Sequence, residues 1–206
     1  FLIMSGDFRG FHVRFMPVAR GGLRMIPSAN PAATLRNRQT LFNENYGLAY
    51  TQNLKNKDIP EFGSKGTILP ERSAQNGKRF AFCKYMSGMM DLILPEKSGI
   101  LDHHGKEEII FFGPDEGTAD VMEWAAYYTR DRGYAYWKGS TTGKPPSMGG
   151  IPHDTYGMTT RSVHANVVAL LRELDIDETT VRKLQTGGPD GDLGSNEIIM
   201  SKDKTI

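Results

Sequence analysis

Residues 108–112 (EIIFF) form a short, strongly apolar run, and Gly113-Pro114-Asp115-Glu116-Gly117-Thr118 follows it directly. β-Branched and aromatic residues at that density read as a buried strand, and the Gly/Pro-rich hexapeptide ends it. Residues 119–132 then take helical spacing, with Val121, Met122, Trp124, Ala125 and Tyr128 apolar. A buried strand, a turn at its carboxyl end and an amphipathic helix constrain the chain to an α/β architecture. In open α/β sheets ligands bind outside the carboxyl ends of strands, which makes Asp115 a functional candidate. The same Asp-x-Gly-Thr residues also serve an ordinary turn or helix cap.

A second stretch carries more chemistry. In residues 60–67 (PEFGSKGT) Lys65 stands between Gly63 and Gly66, which predicts a turn around the lysine. Glycine tolerates backbone angles closed to other residues and lets a ligand approach the main chain. A lysine that loses solvent there has its pKa lowered, because burial penalises the charged form. At roughly 7–8 it can act as a general base near neutral pH. A solvated surface turn uses the same residues. Residues 67–69 read as a short strand leaving the turn.

The first half of the chain is basic, with 14 Lys and Arg against 7 Asp and Glu in residues 1–100, whereas residues 101–206 carry 11 against 17. That asymmetry points to an anionic ligand for the first half. Arg14, Arg20, Arg24, Arg36 and Arg38 do not form a basic helix face interleaved with stacking aromatics, so nucleic acid is not expected. No run approaches the ~18 apolar residues of a membrane span, and no targeting leader can be read. Because the chain starts at Phe1, both ends read as cut from something longer. The single cysteine, Cys83, reads as a packed core thiol in a reducing compartment, the cytoplasm or the mitochondrial matrix. Adjacent His103 and His104 lack a further ligand at metal spacing, and no metal is expected.

Along the chain, residues 10–18 read as a strand ending near Pro17, and Arg20-Gly21-Gly22-Leu23-Arg24 as a glycine-hinged turn with a cation on each side. Asn30 is a helix N-cap with Pro31 in the first helical position. That helix runs from residue 32 to about 54, with Leu35, Phe42, Tyr46 and Ala49 at helical spacing. Residues 80–93 read as a Met-rich buried helix. Residues 139–144 (GSTTGK) fail as a phosphate-binding loop, since three residues separate the glycines and Pro145 follows the lysine. The Gly/Pro-rich connection at 145–152 marks a domain boundary near residue 150. Beyond it come a helix over 156–174, a strand over 179–186, and the cluster Gly187-Gly188-Pro189-Asp190-Gly191-Asp192-Leu193-Gly194-Ser195. Glycines between a strand and a helix are where a dinucleotide's pyrophosphate meets backbone N–H groups, and a tight structural turn uses them too.

Four blocks stand in order: ARGGLR at 19–24, IPEFGSKG at 59–66, FGPDEGT at 112–118, and TTGKPPSMGG at 141–150 ahead of the glycine turn. Together they resemble the amino-acid dehydrogenases of the glutamate dehydrogenase family. LKNKDIPEFGSKG and TGGPDGDLGSN are most similar to its large NAD-specific members. The resemblance implies a substrate-binding domain over 1–150 with a mixed sheet flanked by helices. The opening of a Rossmann-type NAD-binding domain follows over 151–206. It implies that Lys65 activates water or polarises the carbonyl at the substrate α-carbon, and that Asp115 moves protons to and from the amino group. Arg20, ahead of Gly21 and Gly22, matches the cation that holds a substrate carboxylate. The second carboxylate-binding lysine of the family falls at Gln52 or Lys55. Gly188, Gly191, Asp192, Leu193, Gly194 and Ser195 match the NAD turn, and Tyr156 stands where a threonine faces the nicotinamide. Phe62 stands where glycine is common.

The activity so implied is reversible oxidative deamination. Hydride leaves the α-carbon of L-glutamate for NAD, and water hydrolyses the imine to 2-oxoglutarate and ammonia, in a cleft between two domains that shields the imine from bulk solvent. The resemblance also implies a homo-oligomer, a tetramer or hexamer. Two rivals stand beside it: a leucine- or phenylalanine-type dehydrogenase, which needs no cation at Arg20, and a non-catalytic regulatory module with the same fold.

Overall fold

The computed structural model describes residues 1–55, 62–94, 105–185, 191–202 and 204–205. His103 and His104 lie outside them. The chain divides into two compact units, Phe1–Gly150 and Ile151–Ile206.

The first unit is built on a mixed five-stranded sheet. Its strands are β1 (Leu2–Met4), β2 (Phe8–Arg14), β3 (Val18–Met25), β4 (Phe62–Pro70) and β5 (Ile109–Pro114), in the order β1-β2-β4-β3-β5. β2 runs antiparallel to β1 and β4, whereas β3 runs parallel to both β4 and β5. The architecture is α/β, as the sequence implies. Two of the expected turns are strands. Arg20 to Arg24 lies inside β3, and Lys65 lies in the middle of β4 rather than in a turn. Glycine in a strand marks a close approach of another backbone as readily as a turn. A β-carbon on Gly21 would lie 1.6 Å from the Ser64 carbonyl oxygen, and one on Gly63 would lie 2.0 Å from that of Ala49.

Helix α1 (Pro31–Asn53) starts at the expected cap: Ala33 N–H donates to Asn30 Oδ1 at 2.8 Å, with Pro31 in the first turn. Its buried face is rotated by one residue from the expected stripe. Thr34, Leu41, Asn45 and Ala49 are buried, whereas Leu35, Phe42 and Tyr46 are exposed. Helix α2 (Lys78–Ile93) buries Ala81, Phe82, Tyr85, Met86, Met89, Met90 and Ile93. Cys83 is only partly buried. Helix α3 (Met122–Asp131) follows a 3-10 turn at Ala119–Val121.

Alternation along the strands separates two faces. Leu23, Met25, Ile68, Ile110 and Phe112 join α2 and α3 in the main apolar core. The opposite face is mostly polar and lies against α1, with a small cluster of Phe11, Leu41 and Leu69.

In the second unit α5 (Met158–Glu173) matches the expected helix over 156–174, and Gly157, at φ 57°, separates it from a short α4 (His153–Tyr156). The expected strand over 179–186 differs: Glu178–Thr180 is a 3-10 turn capped by Asp177, β6 covers Arg182–Lys183, and Thr186 lies outside the described residues. Helix α6 (Gly191–Met200) and β7 (Lys204–Thr205) complete the unit, with β6 and β7 parallel. Lys183 Nζ donates to Glu197 Oε1, which ties α6 to β6.

Candidate active site

The face of the sheet under α1 gathers the polar residues of the first unit. Arg20, Gly22 and Arg24 are alternate positions of β3, and Gly63, Lys65 and Thr67 are alternate positions of β4, so each set shares a face. The parallel register sets Arg20 opposite Gly63 and Arg24 opposite Thr67, which brings Gly22 level with Lys65.

Lys65 Nζ donates to Asp115 Oδ2, and the pair is also an ion pair. The lysine side chain is 13% exposed and the aspartate 35%. Gly22 makes the room, since a β-carbon there would lie 2.8 Å from Asp115 Oδ2 and 3.0 Å from Lys65 Nζ. Asp115 is fixed by its own turn. Its N–H donates to Thr118 Oγ1 at 3.0 Å, its Oδ1 accepts the Glu116 N–H at 2.8 Å, and Thr118 Oγ1 donates to the Leu23 carbonyl at 2.7 Å. The Met25 N–H donates to the Glu116 carbonyl at 2.9 Å, which ties the same turn to the end of β3. Burial pushes the Asp115 carboxyl up, but the hydrogen bonds from Lys65 and the Glu116 N–H, with the charges of Lys65 and Arg24, outweigh it. The net shift is below the ordinary 3.8, so Asp115 is a carboxylate at neutral pH.

Arg20 places its guanidinium 5.8 Å from the centre of the Phe111 ring, on the face shared with Gly22. Arg24 pairs with Glu44 of α1 at 2.7 Å. The arrangement offers a lysine–carboxylate couple able to pass a proton, with Arg20 on the same face as a group able to hold an anion.

Other candidates stand further from this contact or in the second unit. Gln52 is half-buried in the last turn of α1, and exposed Lys55 lies beyond its end. Tyr156 is 58% exposed at the end of α4. Gly191, Asp192, Leu193, Gly194 and Ser195 form the first turns of α6, with Gly194 buried, and Gly188 lies outside the described residues. Sequence reasoning missed Asn45 and Asn53 of α1. Asn53 Oδ1 accepts the Gly63 N–H at 3.1 Å, and Asn45 Nδ2 donates to the Lys65 carbonyl at 2.9 Å. The available signal was Asn45 standing four residues from both Leu41 and Ala49.

Comparison with known proteins follows the same lines. "Glutamate dehydrogenase 2" of Dictyostelium discoideum is 56% identical over 206 residues, covering 100% of this chain and 20% of that protein. The "NAD-specific glutamate dehydrogenase" of Saccharomyces cerevisiae is 48% identical over 205 residues, covering 98% of this chain and 19% of that protein. The chain thus spans about a fifth of the length of the curated relatives it matches. Among solved structures, the hetero-hexameric glutamate dehydrogenase of Thermus thermophilus, in its Leu-bound form, shares the fold. Its TM-score is 0.64 at 22% identity, over 97% of this chain and 44% of that one. The model of the bacterial NAD-glutamate dehydrogenase catalytic domain matches residues 1–206, and the chain belongs to that family.

Proposed function

We propose that this chain carries the chemical centre of an NAD-dependent glutamate dehydrogenase, catalysing the reversible oxidative deamination of L-glutamate to 2-oxoglutarate and ammonia. The observation that carries this reading is the contact of Lys65 with Asp115 in the space left by Gly22. The names of its relatives support the same activity and the choice of NAD.

The fit to NAD is supported by β6 and β7 running parallel with α6 between them, and by α6 opening at Gly191 of the glycine cluster with Gly194 buried. This is the opening of a Rossmann-type domain, in which Gly188, Gly191, Asp192, Leu193, Gly194 and Ser195 would hold the pyrophosphate and Tyr156 would meet the nicotinamide. Bound there, NAD supplies the acceptor for the hydride of the substrate α-carbon.

The chain's own residues do the rest. Arg20 binds a substrate carboxylate through its planar fork, with Gln52 or Lys55 taking the second. Asp115, ionised at neutral pH, accepts the proton that the substrate ammonium must lose before hydride can leave. Lys65 sits where its charge stabilises the oxygen that develops when water adds to the imine carbon, and that water supplies the oxygen of the oxo acid. Glutamate, NAD⁺ and water become 2-oxoglutarate, NADH, ammonium and a proton. The whole protein is proposed to be a homo-oligomer, a tetramer or hexamer, which light scattering of the full-length protein tests.

The deciding experiment is NADH formation by the full-length protein on L-glutamate, L-leucine and L-phenylalanine, with Lys65→Ala in parallel. Turnover confined to glutamate and abolished by Lys65→Ala supports the assignment. Activity on leucine moves the substrate to the aliphatic dehydrogenases, and a folded protein with no turnover on any of the three overturns the enzyme reading.

A further inference from the structure

Asn45 is fully buried on α1, between Leu41 and Ala49, in a stripe where an apolar residue would be the simple choice. Both ends of its amide are committed to β4. Nδ2 donates to the Lys65 carbonyl at 2.9 Å, and Oδ1 accepts the hydroxyl of Thr67, itself fully buried, at 2.8 Å. The Lys65 carbonyl, which can only accept, selects the NH₂ end of the amide, and the Thr67 hydroxyl donates to the oxygen end that remains.

The carbonyl that Asn45 holds belongs to the peptide joining Lys65 to Gly66. Gly66 has no β-carbon because one would lie 2.7 Å from Leu23 Cδ1 and 3.0 Å from His12 Nδ1. Gly63, two residues before the lysine, is barred from a β-carbon by the α1 backbone. Lys65 thus has a glycine directly after it and another two positions before it, which leaves its segment of β4 permissive. Lys65 pairs with Val13 of β2, and the buried hydrogen bond from α1 adds a hold on its carbonyl that the local sequence does not supply.

We propose that Asn45, braced by Thr67, is a positioning residue for Lys65: it clamps the Lys65–Gly66 peptide so that the ammonium meets Asp115 rather than swinging along the sheet. The inference rests on the reading of Lys65 as the reactive lysine of the dehydrogenase. Asn45 holds the main chain of Lys65, so its loss should act on the chemical step and leave carboxylate binding nearly unchanged.

The test uses the full-length protein with Thr67→Val, Thr67→Ser and Asn45→Ala. Two readouts are taken: kcat and KM for glutamate, and the rate at which acetic anhydride acylates Lys65 at fixed pH, followed by peptide mass spectrometry. Displacement of a catalytic group by a fraction of an ångström predicts a fall in kcat of about tenfold for Thr67→Val and Asn45→Ala, with KM within about twofold. The acylation rate of Lys65 should change about threefold or more as its contact with Asp115 loosens, and Thr67→Ser, which keeps the hydroxyl, should restore both readouts. Lower melting temperatures with unchanged kcat and unchanged acylation would overturn the proposal and leave Asn45 a satisfied core amide. If the wild-type protein does not turn over glutamate, the functional reading fails by itself. The acylation rates then decide the clamp alone, for it if they change in Thr67→Val and recover in Thr67→Ser, against it if they do not.

Discussion

Gly22 lies against Asp115 so closely that a β-carbon on it would come within 2.8 Å of the carboxylate Oδ2, with Lys65 Nζ at 3.0 Å. Both are side-chain ends rather than backbone, so Gly22→Ala should fold and pass its strain to the lysine–aspartate pair. Parting the two proposed catalytic groups by an ångström is expected to lower kcat about a hundredfold. Steady-state kinetics and a thermal melt of the same sample check it, with the melting temperature changing little. A fall in melting temperature matched to the lost activity would mean that the pair cannot move aside and the strain stays in the strand.

Gly63 sits under the last turn of α1 with no such freedom. A β-carbon there would lie 2.0 Å from the Ala49 carbonyl oxygen and 2.3 Å from the Asn53 nitrogen, both backbone atoms. Gly63→Ala must push the helix off β4, and overpacking of this kind costs about 1–3 kcal/mol or more. Urea unfolding should show that loss, together with loss of activity, since α1 carries Asn45. A variant as stable as the parent would show that α1 is seated loosely.

Much of the fold was legible because its signals are local. The Asn30 cap with Pro31 set the start of α1. The run at 108–112 is β5, displaced by one residue at its start. What the sequence hid was set by neighbours. Lys65 and Gly21-Gly22 read as turns because glycine usually marks turns, but here the glycines admit a second backbone or a side-chain pair, which only the sheet order reveals. The stripe on α1 was misplaced by one residue because Phe42 and Tyr46 are larger and more apolar than the Asn45 that is buried. Ring contacts of Phe42 with Phe11, and of Tyr46 with Phe15, occupy those exposed aromatics instead. The pairing of Lys65 with Asp115 spans 50 positions, and its order in the chain was legible only through resemblance.

Arg20 carries the expected preference for a substrate with two carboxylates. Its guanidinium lies beside the Phe111 ring on the face that holds Lys65. Arg20→Met keeps the apolar stem over the ring and removes the charge. A hydrogen bond to a charged group contributes about 1.5–3 kcal/mol, so kcat/KM for glutamate should fall roughly tenfold to a hundredfold, mainly through KM. Rates on L-leucine should hold or rise. Equal losses on both amino acids would show that Arg20 supports the site without reading the side-chain carboxylate.

His12 gives the first unit a pH dependence outside the catalytic pair. It is 1% exposed, its ring packs edge-on to Phe112 at 5.6 Å, and its Nε2 lies 3.3 Å from Arg14 Nη1. Burial first, then the charge of Arg14, hold its pKa well below the ordinary 6.5. The folded protein keeps His12 neutral where the unfolded chain takes up a proton, so the unfolded state binds more protons and stability falls as pH falls below 6.5. Each pH unit in that window should cost up to about 1.4 kcal/mol, the limit for one proton. Urea midpoints between pH 7 and pH 5 measure the slope. In His12→Gln, which cannot titrate, the slope should flatten even though the protein is less stable at every pH. An unchanged slope would assign the acid sensitivity to other groups.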